Sequence, residues 1–330
     1  MAVAESRCAA KTAQASEGDG LAPGLLAALA QVSVANDCRA GSVGDRDIEA
    51  RSEAELAYRL SYAIYEVLHV GWTAEPAEQA RLSHDDAFEA RLLAATRHTS
   101  VVRTARVVSA DAGHVTVELD GVRVQIPATE AGELPRDPGP VGSRIAVTLP
   151  SCRPALSPGY WVTDGTRALP ARKPIVRLYV HLQTAGAVLA AWPAALAFLE
   201  AGGTPYRAKA TSVPALLPRR DAIVVYVGEP DIAAATALGQ RIGQVADVGE
   251  SVSVFCEQLA AGVAMAWEPS DPRPAMRGLS FGEHRSRAVA EGLLRQARSA
   301  GEQTVAQTVR RALEEAAIDP GQPARNLGRR

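Results

Sequence analysis

The chain has 330 residues, a hydrophobic share of 47% and a net charge of −2. That length suits one large domain or two ordinary ones, with ample apolar material for a core. The near-neutral balance excludes the strongly basic footprint of a nucleic-acid binder and argues against a membrane-surface patch.

Residues 1–20 are small and polar and read as a frayed tail without the basic start and apolar run of a secretory signal. Leu21 to Val34 repeats apolar residues at helical spacing until Asn36-Asp37. Glu49 to Val70 predicts an amphipathic helix, with Leu56, Leu60, Ile64 and Leu68 on one face. A second helix is expected over Pro76 to Thr96, opened by proline and acidic residues. The period then changes. Val101 to Val108, His114 to Leu119, Val122 to Ile126 and Arg144 to Leu149 alternate as strands, and Asp120-Gly121 is a hairpin signal.

Pro150 to Gly165 is rich in proline, glycine and serine and marks the boundary between halves. Beyond it, strands are expected at Ile175–Leu182, Tyr206–Thr211, Ala222–Val227 and Ser251–Gln258. Helices are expected at Ala185–Ala201, Ile232–Gln244, Arg285–Ala300 and Glu302–Ala317. Ala185 to Leu199 is the longest apolar stretch, but it contains Pro193 and is too short to span a bilayer. The expected fold class is α+β. A helical head with a small antiparallel sheet, 21–150, precedes a mixed α/β half, 151–330.

Cys8, Cys38, Cys152 and Cys256 lack C-x-x-C spacing and a companion histidine cluster, so no metal site is expected. Scattered cysteines suit a reducing cytoplasm. No glycine-rich phosphate loop is present, and no cofactor is expected.

Lysine is scarce: among 35 basic residues only Lys11, Lys173 and Lys209 are lysine. Arginine substitutes for lysine on a solvated surface, but a guanidinium cannot lose its proton to act as a base. Lys209 is therefore the candidate general base, weighed against an ordinary salt-bridging lysine. Basic groups gather in the second half as Arg172/Lys173/Arg177, Arg207/Lys209, Arg219/Arg220 and His284/Arg285/Arg287. Arginines converging on one pocket suit a phosphate or carboxylate, which the planar fork grips bidentately. His284 follows a glycine at an expected helix start, where it could exchange a proton. Asp221 opens a buried strand and could hold Arg219 in register, while Tyr179 and Tyr226 could line the same pocket. The other histidines read as structural.

Taken in order, Arg177-Leu178-Tyr179, Pro205-Tyr206 with Lys209, Arg219 to Tyr226, Ala261-Gly262-Val263 and Phe281 to Arg285 resemble the HopA-type type III effector-like proteins. Leu149-Pro150 and Leu156 to Trp161 resemble that family's linker. The resemblance is clearest over residues 140–295. It implies a lyase of class V lanthipeptide and thioamitide biosynthesis. A kinase-like partner of the aminoglycoside-phosphotransferase type phosphorylates Ser or Thr in a ribosomally made precursor, and the lyase eliminates phosphate to give dehydroalanine or dehydrobutyrine.

The resemblance places Lys209, Arg219, Asp221, His284 and Arg285 in the active cleft. Arg177, Arg207, Arg220, Tyr179, Tyr226 and His181 are expected as further substrate contacts. It implies no metal, a phosphorylated precursor peptide bound through leader and core, and a hetero-oligomer with the kinase. In that mechanism a lysine among arginines is available as a base, and a histidinium protonates the leaving oxygen. The sequence departs from the family pattern at His181, at Cys256-Glu257, at Trp267-Glu268, at Glu283 and in an extra stretch, Pro272 to Gly278. An idle peptide-binding subunit is the alternative, and an effector acting on a signalling phosphoprotein is a third reading. The head is expected to bind the kinase-like subunit, the leader, or both.

Overall fold

The structure is a computed structural model that describes residues 20–75, 84–111, 113–119, 121–127, 139–170, 174–245, 247–299 and 301–328. The expected tail, apart from Gly20, the first eight residues of the second expected helix, Asp120 of the hairpin signal and the Arg172/Lys173 pair lie outside the described residues.

The fold is α+β, and every described strand pairing is antiparallel. A short α1 (Pro23–Leu29) leads into a three-stranded sheet of β1 (Val32–Val34), β2 (Ala40–Val43) and β3 (Arg46–Glu49). Helical periodicity therefore overruns at Leu21 to Val34, where the last residues are strand. α2 (Glu53–Ile64) is capped by Ser52, whose side chain accepts from the Glu55 amide. It continues as a π-helical turn, Tyr65–Val70, closed by Gly71 in the left-handed region at φ 95°. α3 (Asp86–Ala95) follows.

β4 (Ser100–Ala110), β5 (His114–Leu119), β6 (Val122–Pro127) and β7 (Arg144–Pro150) form a four-stranded sheet in the order β6-β5-β4-β7. Leu119 pairs with Val122, so the loop between β5 and β6 is two residues long, with Gly121 at φ 81°.

The expected boundary is packed. Cys152–Ser157 (β8) and Tyr160–Asp164 (β9) are strands of the central seven-stranded sheet, turned by Pro158-Gly159. The others are β10 (Ile175–Leu182), β11 (Tyr206–Thr211), β12 (Arg219–Gly228), β13 (Glu257–Ala260) and β14 (Val263–Trp267), in the order β13-β14-β10-β12-β11-β9-β8. Ser251 to Cys256, expected as strand, is irregular, and pairing begins only at Glu257. The helices are α4 (Ala185–Ala201), α5 (Ile232–Val245), α6 (Phe281–Arg298) and α7 (Val305–Glu315).

Alternation along the central strands gives the sheet two unlike faces. Leu178, Val180, Ile223, Val225, Ala208 and Ala210 point to one side and pack under α4 and α5, with Trp192 wholly buried. The opposite side carries transverse rows that the register sets side by side. Arg177, Tyr226, Arg207 and Asp164 make one row, and Tyr179, Val224, Lys209 and Val162 the next. Part of this polar face is covered by the π-helical turn and α6. Leu60, Ile64 and Leu68 share a core with Tyr179, Val224, Phe281, Val289 and Leu293. The N-terminal helices therefore close over the second half, and do not form a head standing apart from it.

Candidate functional site

The uncovered part of the polar face is a cavity of about 810 Å³. Arg177, Lys209, Arg219 and Tyr226 rise from the sheet. Tyr62, Tyr65 and Trp72 come from α2, the π-helical turn and the segment after it, and the β8–β9 turn contributes Ser157 to Tyr160. The loop before α6 supplies Asp271, Met276, Arg277 and Gly278. The extra stretch, Pro272 to Gly278, therefore forms one lip of the cavity.

At the centre is a buried ionic cluster. Arg219 Nε donates to Asp221 Oδ1 at 2.7 Å, and Nη2 donates to Asp221 Oδ2 at 3.1 Å and to the Tyr160 hydroxyl at 2.6 Å. The Tyr160 hydroxyl in turn donates to Asp221 Oδ2 at 2.7 Å. Burial pushes the Asp221 carboxyl up, but the Arg219 charge and hydrogen bonds outweigh it and hold Asp221 well below the usual carboxylate range. Burial pushes the Tyr160 phenol well up, so it stays protonated and donates. Its ring carries Lys209, whose Nζ lies 3.7 Å from the ring centroid, and Arg219, 4.8 Å away. Among the described residues, Lys209 has no carboxylate within ion-pair distance. Arg277 also faces the cavity without an ion pair among them.

Arg177 is engaged more fully. Its Nε and Nη2 donate to Glu268 at 2.5 and 2.7 Å, a bidentate pair, and its guanidinium lies 4.9 Å over the Tyr226 ring. Arg207 belongs to the same row, but it lines an adjoining cleft and is tied to Asp164 at 2.6 Å.

His284 and Arg285, expected in the cleft, are instead buried behind it, on the first turn of α6. Arg285 can only donate, so His284 Nδ1 accepts from its Nη1 at 2.9 Å. The ring proton is then on Nε2, which donates to Asp271 Oδ2 at 3.1 Å. Burial, with Arg285 beside it, pushes the His284 imidazole down to about 4. A neutral, fully bonded imidazole cannot be the histidinium expected from sequence. The remaining donors of Arg285 hold the C-terminal segment, at Pro323 O, Arg325 O and Asn326 Oδ1. Burial, unmatched by any carboxylate contact among the described residues, lowers its guanidinium affinity for a proton.

Three more expected substrate contacts have other tasks. Arg220 donates to Val67 O, Leu68 O and Ser251 Oγ, bracing the end of the π-helical turn. His181 Nδ1 donates to Ser251 O at 2.9 Å, outside the cavity lining. Tyr179 is buried against His69 and Phe281, ring to ring at 5.3 and 5.9 Å. Its hydroxyl is kept protonated by burial.

Two apparent oddities of sequence have local causes. Glu283 completes a capping box: the Glu283 amide donates to Ser280 Oγ, and Glu283 Oε2 accepts from the Ser280 amide at 2.7 Å. Gly282 is required by close approach, since a Cβ there would fall 2.3 Å from the His69 ring.

Sequence reasoning missed Tyr65, Trp72, Tyr160, Asp271 and Arg277. Pro158-Gly159, just before Tyr160-Trp161, signalled the turn that leads into Tyr160. Tyr65 and Trp72 reach the site only through the packing of distant elements, which leaves no local signal.

A model of the HopA1 effector protein family matches residues 151–325. The chain belongs to that family. The match takes in the whole central sheet, with Lys209, Arg219 and the loop carrying Arg277, while Tyr62, Tyr65 and Trp72 lie outside it. No curated protein matches the chain. Similar solved structures include two effector proteins. The effector protein from Pseudomonas syringae pv. tomato strain DC3000 is 15% identical, over 85% of this chain and 92% of that one, with a TM-score of 0.47. The effector protein from Pseudomonas syringae pv. syringae strain 61 is 14% identical, over 83% and 93%, also with a TM-score of 0.47.

Proposed function

We propose that this HopA1-family chain is a phosphoserine/phosphothreonine lyase acting on a ribosomally made precursor peptide, leaving dehydroalanine or dehydrobutyrine. The observation that carries the reading is Lys209, an amine in a cavity lined by Arg177, Arg219 and Arg277 and free of an ion-pair partner among the described residues. Lys209 Nζ takes the α-hydrogen. The Cα–H electrons form the Cα=Cβ bond, and the Cβ–O bond breaks with its pair leaving on phosphate. Guanidinium groups neutralise the growing negative charge on that phosphate, which lowers the barrier by electrostatic stabilisation. Tyr160 and Asp221 act as positioning residues: Asp221 orients Arg219, and the Tyr160 ring seats Lys209. No side chain is assigned to protonate the leaving oxygen, since His284 is buried, neutral and bonded through both ring nitrogens.

A second reading, an idle peptide-binding subunit, rests on Glu268. It occupies Arg177 bidentately, leaving less cationic surface for a phosphate. In either reading the precursor's leader and a kinase-like subunit are the partners, and the compartment is the cytoplasm. No described helix is long and apolar enough to cross a membrane.

The test is phosphate release and mass spectrometry on a phosphorylated peptide. Lys209→Ala should abolish elimination while binding survives. Lys209→Arg should be nearly as damaging, because a guanidinium cannot deprotonate. Arg277→Ala should weaken binding of the phosphorylated peptide about tenfold and spare the unphosphorylated one. Full activity in Lys209→Arg overturns the assignment of the base. Tight phosphopeptide binding by the unaltered protein with no elimination favours the second reading.

A further inference from the structure

We infer that a second subsite beside the phosphate cavity receives an apolar side chain flanking the phosphorylated residue, so that the site selects its substrate by neighbouring sequence as well as by phosphate. The inference rests on the phosphopeptide reading above and narrows its substrate class.

The observation is a cleft of about 390 Å³ on the far side of Lys209 and Tyr226. The two spaces share one partition. Leu156, Ser157, Lys209, Tyr226 and Glu268 line both of them. Their linings differ in kind. The large cavity is rich in charge, whereas the cleft adds Val162, Leu169 and Ile175. Of the three charged groups that reach it, Arg207 is matched by Asp164 and Glu268 by Arg177, and Lys209 stands on the shared partition, where it acts on the α-hydrogen. A charged side chain entering the cleft would lose water against Val162, Leu169 and Ile175, whereas an apolar one gains by leaving water.

Leu156 gives independent support. It is 52% exposed at the partition, an apolar side chain left in water where the two spaces meet. Lys209 must lie next to the α-carbon it deprotonates. A chain advancing about 3.3 Å per residue therefore brings a residue within two positions of the phosphorylated one over this wall.

The test uses calorimetry and phosphate release with phosphopeptides that carry leucine or aspartate at each of the two positions on either side of the phosphorylated residue. At one position, leucine should improve affinity or kcat/KM over aspartate by about tenfold or more, the gain expected from burying one such side chain. Leu169→Asp should narrow that difference to below about threefold. Equal affinities for leucine and aspartate at all four positions would overturn the subsite and leave the lyase reading standing. Selective binding without elimination would keep the subsite and overturn the lyase. Binding of no phosphopeptide would overturn both.

Discussion

Asp221→Asn is the sharpest probe of how the site is built. Arg219 and Asp221 are each about 4% exposed in their side chains, and the carboxylate accepts two bonds from Arg219 and one from Tyr160. Asparagine keeps the shape and one acceptor oxygen but leaves the guanidinium buried without its counter-charge. Breaking a buried pair from one side costs about 3–5 kcal/mol, and retained shape places this change near the lower end. Urea unfolding at pH 7, followed by tryptophan fluorescence, reads the loss. Trp72, 5.2 Å from the Arg219 guanidinium, reports locally.

The sign of the pH effect is determined. Asp221 is depressed in the folded state, so its contribution is complete above the unfolded carboxyl value and is lost as pH falls through the folded one. The deficit of Asp221→Asn should therefore be flat from pH 5 to 8. Replacing both partners by apolar residues, Arg219→Met with Asp221→Leu, should restore stability to within about 1 kcal/mol while weakening phosphopeptide binding through the loss of the Arg219 charge. A single-variant loss below about 1 kcal/mol, or a double variant no more stable than the single, would refute the buried-pair account.

Stability should fall as pH drops from neutrality toward 4. His69 and His284 are both depressed to about 4, chiefly by burial, so the unfolded chain binds two protons that the folded chain refuses. The loss between pH 7 and 5 is on the order of 2 kcal/mol per histidine, and a flat denaturation midpoint over that range would contradict it. Gly282→Ala should destabilise by about 1–3 kcal/mol, because the new methyl meets the His69 ring. Unchanged thermal unfolding would show that α6 has room to shift.

Much of the fold was legible where a local pattern sufficed. The apolar run Ala185–Ala201 is a helix with the expected limits, and Tyr206–Thr211 is a strand with the expected limits. Alternation in Arg177-Leu178-Tyr179 and in Arg207-Ala208-Lys209 already places the basic residues on one side of their strands, because side chains in a strand repeat every two residues. Lysine scarcity singled out Lys209, and the structure puts it in the cavity.

What local pattern could not decide was which basic residues converge. Arg285 and Lys209 look alike in sequence, both cationic and both in motifs. One faces the cavity, while the other is consumed by three acceptors near the C-terminus. Arg220 sits beside Arg219, yet at a register shift in the β10–β12 pairing it turns to the carbonyls of the π-helical turn. The segment Leu156 to Trp161 read as a linker because proline and glycine interrupt it, whereas it turns between two strands that complete the sheet. The sequence by itself determined the elements and the two-faced strands, since these follow from neighbours along the chain. Only the tertiary structure decided which charges meet a ligand and which brace the fold, because partners brought in from elsewhere in the chain, such as Glu268 at Arg177 and the Val67 and Leu68 carbonyls at Arg220, set their burial and pairing.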